Sequence, residues 1–308
     1  MASDGVITHR SIEVNRVRLH VAEAGPAGAP VVLLLHGFPE LWYTWRHQMP
    51  ALAAAGYRAV APDMPGYGDS EAPSGGPDQY TLGQERVFVV AHDWGAIIAW
   101  SLCQFRPDRV KALVALSVPF TPRDPAVKSV DGFRALYGDD FYICSFQEPG
   151  AMEAEFKRLG TELVLRKFFV DRTAGPLFIP KSGWGSPDDE VPLPSWFTEE
   201  DVKYYTTQFD KSGFIGGLNY YRALNKTWEL TSPWTGAEIM VPTKFIVGDL
   251  DLTYNIAGAK DFINKGGLKK FVPLLDGVVI MKDVGHFINE EKPDEISALI
   301  ISFIKKFN

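Results

Sequence analysis

Val89-Val90-Ala91-His92-Asp93-Trp94-Gly95-Ala96 is the stretch on which the reading of this chain turns. An apolar run that reads as a buried strand ends at Ala91, and Gly95–Phe105, apolar nearly all round, reads as a packed helix. Ala91 and Gly95 stand two positions either side of Asp93, the small-x-nucleophile-x-small arrangement of a tight strand-to-helix turn. Such a turn presents its central side chain at the C-terminal edge of a sheet. The helix N-terminus behind it favours negative charge there. On the pattern alone, an Asp that merely caps the helix is an equal reading, because Asp is common at strand–helix junctions.

Similar apolar runs recur to both sides. Val31–Leu35, Arg58–Ala61, Val87–Ala91, Ala112–Leu116, Lys244–Val247 and Val278–Met281 read as buried strands, and Ser11–Asn15 with Arg18–Ala22 as an N-terminal hairpin. Asp294–Phe307 reads as an amphipathic helix with Pro293 near its start. Strands alternating with helices predict an α/β fold: a mainly parallel, eight-stranded sheet flanked by helices. The alternation stops near Pro119 and resumes near Val241, and the chain between is aromatic-rich and helical in pattern. There Thr198-Glu199-Glu200-Asp201 resembles a capping box, opening a helix that ends by Gly213, and Pro187–Pro194 is a proline-rich loop. The expected organisation is a core of residues 1–123 and 236–308 with an inserted helical lid, 124–235. One crossover departs from the pattern. The 23 residues Met64–Arg86 contain eight Gly or Pro and show no helical face, so Val87–Ala91 is predicted to be reached by a loop.

The 308 residues, 46% hydrophobic and 22% charged with a net charge of −7, are ordinary for a soluble globular chain. No basic patch points to nucleic acid or an anionic membrane. The longest apolar runs are too short to span a bilayer. Met1–Arg10 has no signal-peptide pattern, and the C-terminal Lys305–Asn308 carries no targeting signal, so a cytoplasmic setting is expected. Cys103 and Cys144 offer neither a disulfide framework nor a metal set, and no phosphate-binding glycine loop is present.

An Asp in the nucleophile position changes the chemistry. A carboxylate is ionised at neutral pH without help, and it can attack an sp³ carbon to form an alkyl ester. That suits an epoxide or a haloalkane better than a carboxylic ester. His36-Gly37-Phe38-Pro39 directly follows a strand, and a turn there can aim the Phe38 N–H at the site, with the Trp94 N–H as its partner in an oxyanion hole. Asp251, in Val247-Gly248-Asp249-Leu250-Asp251, and His286, in Asp283-Val284-Gly285-His286, each follow a strand, completing the order nucleophile, acid, histidine. His286 would take a proton from water, and Asp251 would fix its tautomer. Asp249 competes for the acid role. Either residue taken singly reads as a surface-turn residue; the ordered set at three strand ends carries the weight. His92 is expected to line or buttress the turn, and His9, His20 and His47 lie in no motif.

Taken together, His36–Pro39 with the run to Arg46, Gly66–Ser70, His92–Ala96, Phe146-Gln147-Glu148-Pro149-Gly150 and Asn219-Tyr220-Tyr221-Arg222 resemble plant-type soluble epoxide hydrolases of the α/β-hydrolase fold, over nearly the whole chain. The resemblance implies conversion of epoxides to vicinal diols through an ester on Asp93. It also implies two lid tyrosines that donate hydrogen bonds to the epoxide oxygen. By motif position these fall on Tyr142 and Tyr221, with Tyr220 the main alternative to Tyr221. A phenol stays protonated at neutral pH and can donate to the alkoxide formed on ring opening. No metal or organic cofactor is expected, the substrate is expected to be a lipid or aryl epoxide, and the chain to be a monomer or homodimer. The family has a helix between the Gly66–Ser70 region and the nucleophile strand that this chain lacks, and its loss is expected to bare apolar surface beside the helix after Asp93. A haloalkane dehalogenase, and a non-catalytic ligand-binding protein on the same scaffold, remain the rival readings.

Overall fold

The computed structural model of the chain describes residues 5–14, 16–72 and 86–308. Eight strands form one sheet: β1 (Thr8–Val14), β2 (Val17–Ala24), β3 (Val31–Leu35), β4 (Arg58–Pro62), β5 (Val87–His92), β6 (Val110–Leu116), β7 (Thr243–Gly248) and β8 (Leu275–Met281). Their order is β1-β2-β4-β3-β5-β6-β7-β8; β2 runs antiparallel to β1 and β4, and the remaining pairs are parallel. The eight strands match the expected set, with ends that reach further, because the ladder outlasts the apolar pattern. His92 still pairs with Leu116, and Gly248 with Met281.

Every residue of β3 and β5 is buried, as Val/Leu-rich central strands require when helices cover both faces. Successive side chains feed opposite cores. Leu33, Leu35, Val89 and Ala91 pack on the side of α2 (Trp94–Phe105), against its Ala96, Ala99 and Trp100. Val32, Leu34, Phe88 and Val90 pack on the side of α1 (Gln48–Ala54) and the C-terminal helix Pro293–Ile304, against Met49, Leu52, Ile296 and Ile300. Full burial of each Val, Leu or Ile contributes about 1.5–3 kcal/mol, so the central strands are fixed from both sides.

Between β6 and β7 the chain forms α3 (Ser129–Tyr137), α4 (Tyr142–Ser145), α5 (Ala151–Leu159), α6 (Thr161–Val170), α7 (Glu199–Ser212), α8 (Ile215–Arg222) and α9 (Leu224–Leu230). Among the described residues it contributes no strand to the sheet, only an isolated bridge between Phe141 and Phe178. The capping box is present at α7: the Asp201 N–H donates to Thr198 Oγ1 (3.2 Å) and the Thr198 N–H to Asp201 Oδ2 (2.9 Å). Gly213 ends the helix at φ 65°. Most aromatic residues of this segment join the α2-side core, with Phe178, Trp228 and Trp234 outside it. After β7 come α10 (Ala259–Asn264), α11 (Gly267–Phe271), α12 (Ile288–Glu291) and α13, the helix Pro293–Ile304.

The unusual crossover is described only in part. Residues 64–72 turn tightly, with the Tyr67 N–H on Met64 O (2.9 Å) and the Ser70 N–H on Tyr67 O (3.0 Å), while 73–85 lie outside the described residues. On α2, Ile97, Ile98 and Leu102 are half-buried and pack against the α2-side core, and Phe105 is 39% exposed.

Candidate active site

The C-terminal ends of the parallel strands bring the sequence-predicted residues together, where open α/β sheets bind ligands. Asp93 sits between β5 and α2 at φ 50°, a conformation that L residues adopt at a cost of about 1–3 kcal/mol and that persists where the surroundings enforce it. Gly95 cannot be larger, because a Cβ there would lie 2.2 Å from the Leu35 carbonyl oxygen. The two Asp93 oxygens have different partners. Oδ1 accepts the Phe38 N–H at 2.8 Å, whereas Oδ2 faces His286 Nε2 at 3.6 Å. Trp94 opens α2 immediately behind; first-turn N–H groups of a helix have no intrahelical partner.

His286 lies beyond β8. Its Nδ1 is 3.0 Å from Asp251 Oδ1, and Asp251 lies beyond β7. Asp251 is the acid in contact with His286; the competitor Asp249 is engaged through its backbone, with its N–H on Met281 O and its carbonyl accepting the Asn255 amide. Asp251 is fully buried, and its Oδ1 also accepts the Thr253 N–H (2.8 Å) and hydroxyl (2.9 Å). Burial disfavours the imidazolium of His286. The Asp251 charge and hydrogen bond, with Asp93 adding, outweigh burial and hold His286 well above its ordinary value. Asp251 is correspondingly lowered, burial being overcome by His286 and by the Thr253 N–H.

Tyr142 and Tyr221 come from α4 and α8 and meet over the site, with ring centroids 5.8 Å apart and both side chains buried. Tyr221 also packs edge-on against Trp94 (5.0 Å) and Phe38 (5.7 Å), the residues flanking Asp93. Burial, and then the Asp93 charge, push both phenols well above their ordinary value, so both remain protonated donors within electrostatic reach of the carboxylate. Tyr220 is turned elsewhere, its hydroxyl donating to Pro65 O at 3.1 Å. That bond helps to seat α8 on the 64–72 loop. The seat is close, since a Cβ at Gly216 would lie 1.9 Å from Gly66 O.

One pair went unread in the sequence. Glu40, fully buried, accepts the Gly37 N–H (2.6 Å) and the Thr44 hydroxyl (2.7 Å), and its Oε2 is 2.8 Å from His92 Nδ1. His92 Nε2 in turn donates to the His286 carbonyl at 2.8 Å, which makes His92 the expected buttress. Burial alone would raise Glu40 and lower His92, but their mutual attraction brings Glu40 down to about 2 and raises His92. The pair therefore stands as a buried ion pair that ties the Phe38 turn to the His286 loop. The Glu that follows His36-Gly37-Phe38-Pro39 was visible, but its partner lies 52 residues away.

Comparison with known proteins agrees with this geometry. Residues 30–293 match the alpha/beta hydrolase fold family. Epoxide hydrolase 2 of Siraitia grosvenorii is 54% identical, with 98% of this chain and 99% of that protein covered. A crystal structure of an epoxide hydrolase from Vigna radiata is similar with a TM-score of 0.93 at 52% identity, covering 100% of both chains. The structure of an epoxide hydrolase mutant from Solanum tuberosum is similar with a TM-score of 0.91 at 50% identity, covering 98% of this chain and 100% of that one. A conserved scaffold at that identity over the full length, with Asp93, Asp251 and His286 gathered at the strand ends, leaves one conclusion: this chain belongs to the epoxide hydrolases of the alpha/beta hydrolase fold family.

Proposed function

We propose that this protein hydrolyses epoxides to vicinal diols, with Asp93 as nucleophile and His286 as base. The observation that carries the reading is the division of the Asp93 carboxylate, with Oδ1 held by the Phe38 N–H and Oδ2 left facing His286. Oδ2 attacks an epoxide carbon, the ring C–O bond breaks, and Tyr142 and Tyr221 bind the leaving oxygen and protonate it. Esterification removes one of the two negative charges that favour the His286 imidazolium, so its Nε2 proton is released and, carried by water, restores the phenol that protonated the leaving oxygen. The imidazole that results, its Nδ1–H on Asp251, takes a proton from water through Nε2. The hydroxide adds to the Asp93 carboxyl carbon while the Phe38 and Trp94 N–H groups hold the oxyanion at the Oδ1 position. Collapse releases the diol and restores the carboxylate. The paired phenols favour an epoxide over a haloalkane, because opening an epoxide makes a basic alkoxide that needs a proton.

Residues 1–123 and 236–308 serve in this reading as the hydrolase core and 124–235 as a lid that supplies the phenols. The aromatic lining suits a lipid or aryl epoxide. Among the described residues no helix is long and apolar enough to cross a membrane. Two free, buried cysteines fit a cytoplasmic setting, and the chain acts as a monomer or homodimer.

The test is isotopic. With excess enzyme in H₂¹⁸O, the diol of a single turnover is expected to carry no label, because its new oxygen comes from Asp93, and Asp93→Ala is expected to make no diol. Label in that first diol would mean direct attack by water. The close seat of α8 gives a second expectation. Gly216→Ala should lift α8 from Gly66 and displace Tyr221, costing about 1–3 kcal/mol of stability. Stopped-flow traces should show ester formation slowed more than ester hydrolysis; equal slowing would argue against the seat as the device that aims Tyr221.

A further inference from the structure

We infer that Ser117 is a positioning residue for the second chemical step, an inference that rests on the reading of His286 as the base. Ser117 follows β6, the strand between those that lead to Asp93 and Asp251. Its backbone is held at φ 70°. Among the described residues, the others besides glycine with positive φ are Arg16, Asp93 and Asp283. Arg16 lies in the β1–β2 turn, but Asp93, Ser117 and Asp283 all lie just beyond strand ends around the site. Strain of this kind persists only where the surroundings over-determine it, and it concentrates at functional sites.

The strained backbone puts a hydroxyl where His286 needs one. Ser117 is fully buried, and its Oγ is 3.0 Å from His286 Nδ1, the same distance as Asp251 Oδ1. The Nδ1–H is thus shared between two acceptors. The serine is itself held on three sides: its N–H donates to Ile246 O (2.9 Å), and its carbonyl oxygen and its Oγ lie 2.9 Å and 3.3 Å from Thr253 Oγ1. Thr253 in turn anchors Asp251 Oδ1 through its own N–H (2.8 Å). Ser117 and Thr253 therefore form a buried bracket around the acid–histidine contact.

Two consequences follow for the chemistry. A second acceptor on Nδ1 keeps the proton there in the neutral imidazole, so that the Nε2 lone pair faces Asp93, as abstraction of a proton from water requires. It also limits rotation of the ring about the single contact with Asp251. Attack by Asp93 on the epoxide uses neither property. Ser117 should matter for hydrolysis of the ester and little for its formation.

The experiment compares wild type, Ser117→Ala and Ser117→Gly, with the two half-reactions on an aryl epoxide read separately by single-turnover kinetics. Both variants are expected to form the ester within about threefold of wild type and to hydrolyse it roughly ten- to a hundredfold more slowly, the worth of a hydrogen bond to a charged group. Glycine accepts φ 70° without strain, so Ser117→Gly should melt no lower than Ser117→Ala. Equal loss of hydrolysis in both variants would then place the effect in the hydroxyl. An NMR titration of the His286 imidazole gives a readout that does not depend on turnover: its pKa should fall when the second acceptor is removed. Wild-type hydrolysis in both variants would overturn the proposal, as would parallel loss of both steps with the melting temperature. An unchanged His286 titration would overturn it even if the wild-type protein formed no ester, a result that would separately defeat the reading of the reaction.

Discussion

His286→Gln, mixed with an aryl epoxide, is expected to gain the mass of one epoxide molecule and to release almost no diol. The geometry separates the two steps cleanly. Asp93 Oδ2 needs no base to attack, since a carboxylate is already the nucleophile, and the phenols of Tyr142 and Tyr221 belong to the helical segment rather than to the His286 loop. Glutamine leaves all of these in place and can still hydrogen-bond, but it cannot take a proton from water. General-base assistance is worth roughly 10²–10⁴-fold, so the ester should outlive its formation by a wide margin. Intact-protein mass spectrometry reads the adduct, and peptide mapping should place it on Asp93. A folded His286→Gln protein that stays unmodified would sink the two-step mechanism.

Glu40→Gln should destabilise the protein severely and disable the site from behind. Removing one partner of a buried ion pair leaves the other charge uncompensated, at a cost of about 3–5 kcal/mol. The fall of Glu40 from 4.5 to about 2 corresponds to roughly 3 kcal/mol, the same order. The glutamine can keep a bond to Thr44, but it cannot balance a cationic His92. With the Gly37 N–H and the His92 ring both loosened, the Phe38 N–H and the His286 carbonyl lose their common tether, so both half-reactions should slow. A depressed carboxylate contributes stability above its unfolded value of 4.5, and that contribution is lost as pH falls toward 2. His92, being raised, contributes its share below 6.5 and loses it as pH rises through its folded value. The wild type should therefore lose this stabilisation on acidification below about pH 4.5, and Glu40→Gln should show a flatter acid limb in thermal melts. A variant that melts like wild type between pH 5 and 7 would show that the pair is not the tether described.

Much of this was open in the linear chain because the relevant physics is local. Apolar runs of strand length, small residues two positions either side of Asp93, and a cap at Thr198 are each decided by a few neighbouring residues, and each element formed where its pattern placed it. The order Asp93, Asp251, His286 could be read because each residue follows a strand, and parallel strands bring such positions to one edge. Tyr142 and Tyr221 came from the likeness of their motifs alone, since an aromatic residue in a helical segment carries no intrinsic sign of where its hydroxyl will point.

What needed the tertiary structure was every pairing between distant segments. Sequence favoured Asp251 with Asp249 as its competitor, and only the turn after β7 sets one of them against His286. Glu40 with His92, and Ser117 with His286, join segments 52 and 169 residues apart. The sequence by itself determined the strands, the helix after Asp93, the capped helix from Thr198, the C-terminal helix and the chemical kinds of group available, because backbone preference and side-chain alternation act over a few residues. Folding alone decided which groups share a proton and which charges are buried together, because hydrogen bonding and desolvation depend on distance in space rather than on distance along the chain.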